Sequence, residues 1–461
     1  MIRLIASLTL ALFIACAVPA FAKETTSGKV LDIKNFTTPA GIQVWLVEDH
    51  SIPVISLNFS FEGGLAHDPE GKPGVARLVS ILLDEGAEDM DSQTFQAKLS
   101  DNAISMGFTA GRDAFFGELR TITDHRSLAF DLLRSALAAP RFDDDAIERM
   151  KNANIAQIKH DMGDPSWLSA RTFNGMLFEG HVYALPGYGN LASMQKITKK
   201  DLVNFTKAQF TRNALQVAVA GDIGAADAAA LIDKTFGGLP AKGFAVDGTE
   251  IQPQYAGKTI LLPLDTPQTY IAIGAPGIPR EDNDWHAAVV MNYILGGGSF
   301  DSWLMSEVRE KRGLTYGVYS SLQSMQHAAI SQISLSSSNE SVAEALSVIR
   351  TQLQRMAETG PTEQELKDAK AYLTGSLMLE LTSTGDIAEV LNGLQRDDMD
   401  AEYINRRNDT LNAVTLADVR RVAKRLLKTD MLTTILVGKP DNVKADIMLD
   451  KPPGMALGET K

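Results

Sequence analysis

Leu295-Gly296-Gly297-Gly298-Ser299, then Leu304, then Glu307-Val308-Arg309-Glu310-Lys311-Arg312-Gly313-Leu314-Thr315-Tyr316, is the stretch that decides how this chain is read. Three successive glycines let the backbone turn sharply and approach a neighbour closely. The charged segment after them carries Glu307 and Lys311 at i,i+4, the spacing of a short helix, and Gly313 is placed to end it. These residues alone leave two readings open. One is a solvated helix end. The other has Arg309 and Tyr316 turned toward a ligand, Arg309 offering a permanent charge with a fork of donors and Tyr316 an O–H. The Lys-Ser/Thr that follows the glycines of a P-loop is missing, so phosphate cradling does not fit.

Outward from this stretch, the chain repeats itself. Thr198 starts a helix whose following strand ends at Gly221; Thr415 starts another whose strand ends at Gly438. Both separations are 23 residues, and the copies are offset by 217 (415 − 198). Phe142–Ala153 echoes Pro361–Leu373 at nearly the same offset, which makes duplication the better reading. In the first copy, Gly41–Val47 and Val54–Phe61 read as strands. Pro73 opens an apolar helix through Leu83. Asp124–Ala138, Asp143–His160 and Asp201–Phe210 read as further helices, and Leu215–Ala220 as a strand. Leu239–Tyr255 has two prolines, turn residues and little apolar periodicity, as a linker does.

A length of 461 residues, 44% hydrophobic and 22% charged, suits a folded chain of two large domains or about three ordinary ones. The net charge of −13 disfavours nucleic acid and anionic membrane surfaces as partners. Arg3, the apolar run Leu4–Val18 and Ala20-Phe21-Ala22 have the anatomy of a secretory signal peptide with cleavage after Ala22, which predicts export. Cys16 is the one cysteine and lies inside that segment. Phe13-Ile14-Ala15 is a weak match for a lipoprotein site before it. The mature chain therefore has neither disulfides nor thiolate ligands. No later stretch is apolar enough to span a bilayer.

The glycine-rich turn, the short helix, the Arg309-x6-Tyr316 ending, the duplication and the segment Phe61–Gly86 together resemble the pitrilysin/insulinase zinc metallopeptidases, across nearly all the mature chain. That family includes the mitochondrial processing peptidases and the respiratory complex III core subunits. The resemblance implies an α+β fold of two duplicated halves, each a mainly antiparallel sheet packed with helices, forming a clam-shell. It divides the chain into a signal peptide (1–22), a first half (23–238), a linker (239–255), a second half (256–445) and a flexible tail (446–461). It also implies that Arg309 and Tyr316 hold substrate backbone.

Active members of the family carry an inverted His-x-x-Glu-His helix and a Glu ligand on a second helix. The surroundings of that helix survive here as Phe61-Glu62-Gly63-Gly64 and Pro73-Gly74-Val75-Ala76. The ligands do not. Arg77 and Ile81 stand at the two His positions, Ser80 at the general-base Glu, and Gln157, 76 residues after Ile81, where the distal Glu is expected. Ile81 has no donor, Arg77 does not deprotonate, and Ser80 is too weak an acid to replace a carboxylate base. The seven histidines (50, 67, 125, 160, 181, 286 and 327) contain no i,i+4 pair that could rebuild the site. The resemblance therefore implies a non-zinc subunit of an exported, periplasmic heterodimeric metallopeptidase. In that reading no cofactor is bound by this chain, zinc sits in a homologous partner, and a peptide is the substrate. A non-catalytic binding or assembly protein on the same fold is the alternative.

Overall fold

The computed structural model describes residues 29–243, 248–298 and 300–455. The signal segment with Cys16, and Ser299, lie outside the described residues. Among these residues the main strands form two six-stranded sheets. The first runs Lys34–Thr37, Gln43–Glu48, Leu215–Gly221, Val54–Glu62, Ala114–Ile122, Ser105–Ala110. The second, from its matching edge, runs Ile447–Met448, Thr259–Pro263, Thr433–Gly438, Gln268–Pro276, Ala329–Ser338, Val318–Ser324. Position by position these are the same sheet. In each, the second and third strands are parallel and the third to sixth pair antiparallel. Only the first edge differs, antiparallel in one copy and parallel in the other. The repeat is thus an α+β duplication of two mixed sheets packed with helices. Gly221 and Gly438, the anchors of its sequence offset, end equivalent strands with φ of 131° and 152°.

The strand sequences explain why both faces of each sheet are covered. Leu215–Gly221 (LQVAVAG) and Thr433–Gly438 (TTILVG) are nearly continuous apolar runs, the mark of a strand buried on both sides. Successive side chains alternate faces. Val217 and Val219 enter the main core of the first half, while Ala218 and Ala220 face a separate cluster. Leu436 enters the main core of the second half, while Ile435 and Val437 face another.

Those outer clusters are built reciprocally. The helix Pro165–Leu177, from the first half, lays Leu168, Phe173, Met176 and Leu177 against Ile260, Ala272, Ile435 and Val437 of the second sheet. The helix Thr384–Arg396, from the second half, lays Ala388, Leu391 and Leu394 against Trp45, Val47, Ala218 and Ala220 of the first. These helices occupy equivalent places in the repeat, starting 219 residues apart (384 − 165). Polar contacts tie the second one down. Ser56 and Thr384 hydroxyls bond at 2.9 Å in the buried contact, and Gln395 Nε2 donates to Val217 O at 3.1 Å. Gly274 lies under the first helix, where a Cβ would sit 2.5 Å from Leu177 Cδ2 and 2.9 Å from Phe173 Cε2. Gly274→Val is expected to lower unfolding stability by about 1–3 kcal/mol through overpacking, read as a lower urea midpoint. An unchanged midpoint would mean the helix is not pressed onto the sheet there.

Two expectations are corrected. The helix predicted over Pro73–Leu83 is confined to Val75–Ser80. Gly74 before it is left-handed at φ 102°, and Ser80 Oγ donates back to Arg77 O at 2.8 Å, competing with the Ile81 N–H at 3.3 Å. The tail predicted flexible over 446–461 is ordered through 455. Ile447 and Met448 pair with the strand Thr259–Pro263, Leu449 N donates to Leu261 O at 2.8 Å, and Met455 is buried. Its alternating Ile447 and Leu449 supply the apolar face that sequence inspection passed over.

Candidate functional site

The glycine-rich stretch and the charged segment after it are built from two π-helical turns. Trp285–Asn292 continues into the π turn Tyr293–Gly297, and Met305–Glu310 forms a second. The glycines between them serve packing. A Cβ on Gly296 would stand 2.8 Å from both Leu304 Cδ1 and Ser320 Oγ, and one on Gly298 2.8 Å from Tyr293 O. Widened turns of this kind re-aim side chains, and they recur at functional sites.

Within the second turn the charges sort themselves. Glu307 binds Lys311 and Arg312, each at 2.7 Å, and these two bonds hold its carboxyl below the ordinary range. Gly313 closes the segment at φ 64°, its N–H donating to Arg309 O at 2.8 Å. Arg309 is left over. It pairs with no carboxylate among the described residues, and its guanidinium lies 4.8 Å from the ring centroid of Phe300. Tyr316 is 86% exposed, and its O–H has no partner among the described residues. The sequence separation puts the two on one segment, and the structure leaves both free to donate.

The helix Val75–Ser80, where the sequence resemblance expects metal ligands, makes other interactions. Arg77 lies over the Tyr188 ring at 5.0 Å. Ser80 is buried, with its hydroxyl bonded inside its own helix. Ile81 packs against the first-half core. Asp68 caps this helix, accepting from Gly74 N at 2.5 Å and Ala76 N at 2.7 Å. Burial pushes its carboxyl up to about 7, against the pull of those N–H groups. Gln157 is on the exposed face of its helix, donating to Asp161 Oδ1 at 2.7 Å. The polar residue of Asp144–Asp161 that turns inward is Asn154, whose Nδ2 donates to Tyr188 O at 2.8 Å. Arg77 and Asn154 therefore meet at Tyr188. Among the described residues no group of three or more His, Cys, Asp or Glu side chains is arranged so that it could hold a metal ion. No helix among them is long and apolar enough to cross a membrane.

Sequence reading missed Asn154, Arg112 and Arg171. Asn154 carried a signal: it stands in the apolar series with Ile147 and Ile158 at helical spacing. Arg171 carried one too, lying between Leu168 and Phe173 on an otherwise apolar face. The first-half hairpin bearing Arg112 and Asp113 meets the second-half hairpin of Met325–Ala328. Asp113 Oδ1 accepts from Tyr183 O–H at 2.6 Å, which in turn accepts from His327 N at 3.0 Å.

The helix Val75–Ser80 and the Ile81 after it thus hold Arg, Ser and Ile at the positions where the sequence resemblance expects metal donors. Residues 196–373 match the model described as Peptidase M16 inactive domain. The non-peptidase homolog YmxG of Helicobacter pylori is 29% identical over 342 residues, covering 73% of this chain and 78% of that one. A crystal structure of a peptidase M16 inactive domain from Pseudomonas fluorescens superposes with a TM-score of 0.83 at 29% identity, covering 91% of this chain and all of that one. A chain of complex III2 from Candida albicans has the same fold, with a TM-score of 0.73 at 16% identity, covering 90% and 98%. Along most of its length the chain is thus similar to proteins of the M16 (pitrilysin/insulinase) peptidase family.

Proposed function

We propose that this chain is the non-zinc subunit of an exported heterodimeric zinc metallopeptidase. It acts in the periplasm after removal of residues 1–22. A homologous partner holds zinc on its own His-x-x-Glu-His helix, and the two chains enclose a peptide in a clam-shell chamber. The partner's glutamate and metal-activated water hydrolyse the bond. Arg309 and Tyr316 bind the substrate backbone and stabilise the charge that develops on the carbonyl oxygen. The observation that supports this reading is that Arg309 and Tyr316 keep uncommitted donors, while the nearby Glu307 is paired with Lys311 and Arg312.

The test is to purify the chain alone and with a His-x-x-Glu-His homologue, then measure zinc content and cleavage of an unfolded peptide. Cleavage and zinc are expected only in the mixture, with the metal travelling with the partner. Zinc-dependent cleavage by this chain alone would overturn the proposal. The second reading, a non-catalytic binding or assembly protein, is favoured by the Helicobacter pylori relative, described as a non-peptidase homolog. It predicts that a complex forms without any gain in cleavage.

A further inference from the structure

Beside the helix Pro165–Leu177 lies a cavity of about 360 Å³, within the usual range for small-ligand sites. Its walls are mostly apolar, including Leu65, Trp167, Val182, Leu185 and Tyr188. One wall carries Arg171, which is only 7% exposed. Its Nη1 donates to Ala184 O at 2.7 Å, its Nε has no partner, and no carboxylate forms an ion pair with it among the described residues. Burial lowers its pKa to about 10, and no neighbouring acid offsets that shift. An ion taken out of water without a counter-ion is destabilising.

The rest of the cavity does not cancel this charge. Arg112 lines it as well, flanked by the Phe178 and Tyr183 rings at 5.6 and 5.0 Å. Its N–H groups go to Met325 sulfur and to Asn174 Oδ1 at 3.1 Å, both uncharged. Asp68 is the acid in the lining, and its two oxygens already accept from Gly74 and Ala76 N–H. The result is a half-open positive site with mostly apolar walls and an unused donor.

We infer that this cavity binds a carboxylate carried on an apolar body, with Arg171 as its charge partner. Guanidinium and carboxylate match in charge and planar geometry, and the aromatic and aliphatic walls take the apolar part. Two sources share this chemistry, a free small acid and the C-terminal carboxylate of a peptide ending in an apolar residue. The site uses neither Arg309 nor Tyr316 and stands independently of the peptidase reading.

The experiment is isothermal titration of the full chain with N-acetyl-phenylalanine, its carboxamide, N-acetyl-Leu-Leu-Phe and inorganic phosphate. The acid is expected to bind at least tenfold more tightly than the amide, and phosphate not to compete. Tighter binding of the tripeptide assigns a peptide terminus, and equal or weaker binding a free acid. Acid and amide binding alike, no binding by either, or competition by phosphate would overturn the site. Arg171→Met is expected to abolish acid binding while keeping or raising the thermal midpoint, because an uncompensated buried charge is replaced by an apolar chain. Ala170→Phe, at an exposed helical position in the cavity lining, is the second variant. It retains Arg171 and is expected to block entry. Wild-type binding in both variants would also refute the assignment.

Discussion

Cut between Gly243 and Gly248 and produced separately, the two halves are expected not to fold as independent monomers, and to recover a single cooperative unfolding transition only when mixed. The reason lies in the outer sheet faces. Without Thr384–Arg396, the first sheet exposes Trp45, Val47, Ala218 and Ala220. Without Pro165–Leu177, the second exposes Ile260, Ala272, Ile435 and Val437. Each departing helix also leaves its own apolar face bare. At roughly 1.5–3 kcal/mol for each large apolar side chain, the loss per half is on the order of 10 kcal/mol, comparable to the whole stability of a domain. Circular dichroism and dye binding during urea titration of each fragment and of the mixture make the measurement. A fragment that unfolds alone with the midpoint of the intact chain would show that the reciprocal helices are ornamental to stability.

Arg309→Ala should reduce peptide cleavage by the reconstituted pair about a hundredfold. A donor aimed at a developing oxyanion is worth roughly 3 kcal/mol, and each 1.4 kcal/mol is a factor of ten in rate. Tyr316→Phe removes one O–H from an exposed ring and should lower kcat by at least tenfold, with little effect on folding. Neither change should alter assembly with the partner, measured by size-exclusion chromatography. Phe300→Ala is the informative companion. It removes the ring under Arg309 but leaves the charge, so a smaller loss is expected. Rates unchanged in both Arg309→Ala and Tyr316→Phe would leave the binding or assembly reading in place.

Much of the fold was legible because the duplication wrote itself twice. Thr198 and Thr415 open equivalent helices through the same box with Asp201 and Asp418, and Gly221 and Gly438 close equivalent strands. Which half covers which sheet was not legible. Leu391 and Leu177 look like ordinary core leucines of their own copies, and nothing local in a helix names the sheet it will meet. That Arg77, Ser80 and Ile81 are poor metal donors follows directly from residue chemistry. That Gln157 faces solvent while Asn154 faces Tyr188 depends on helical phase, which counting positions from Ile81 did not fix. Arg171 escaped for a related reason: an arginine within an apolar helix face reads as snorkelling until its head group is seen to be enclosed.

The reciprocal placement of Pro165–Leu177 and Thr384–Arg396 has a kinetic meaning. Seen as an assembly, the molecule is a domain-swapped pair of similar protomers joined head to tail. The covalent connection between the halves replaces a bimolecular encounter by an intramolecular one, with an effective concentration that can reach about the millimolar range. Docking of the two copies is thereby relieved of dependence on protein concentration, and a chain diluted to nanomolar levels still finds its own second half.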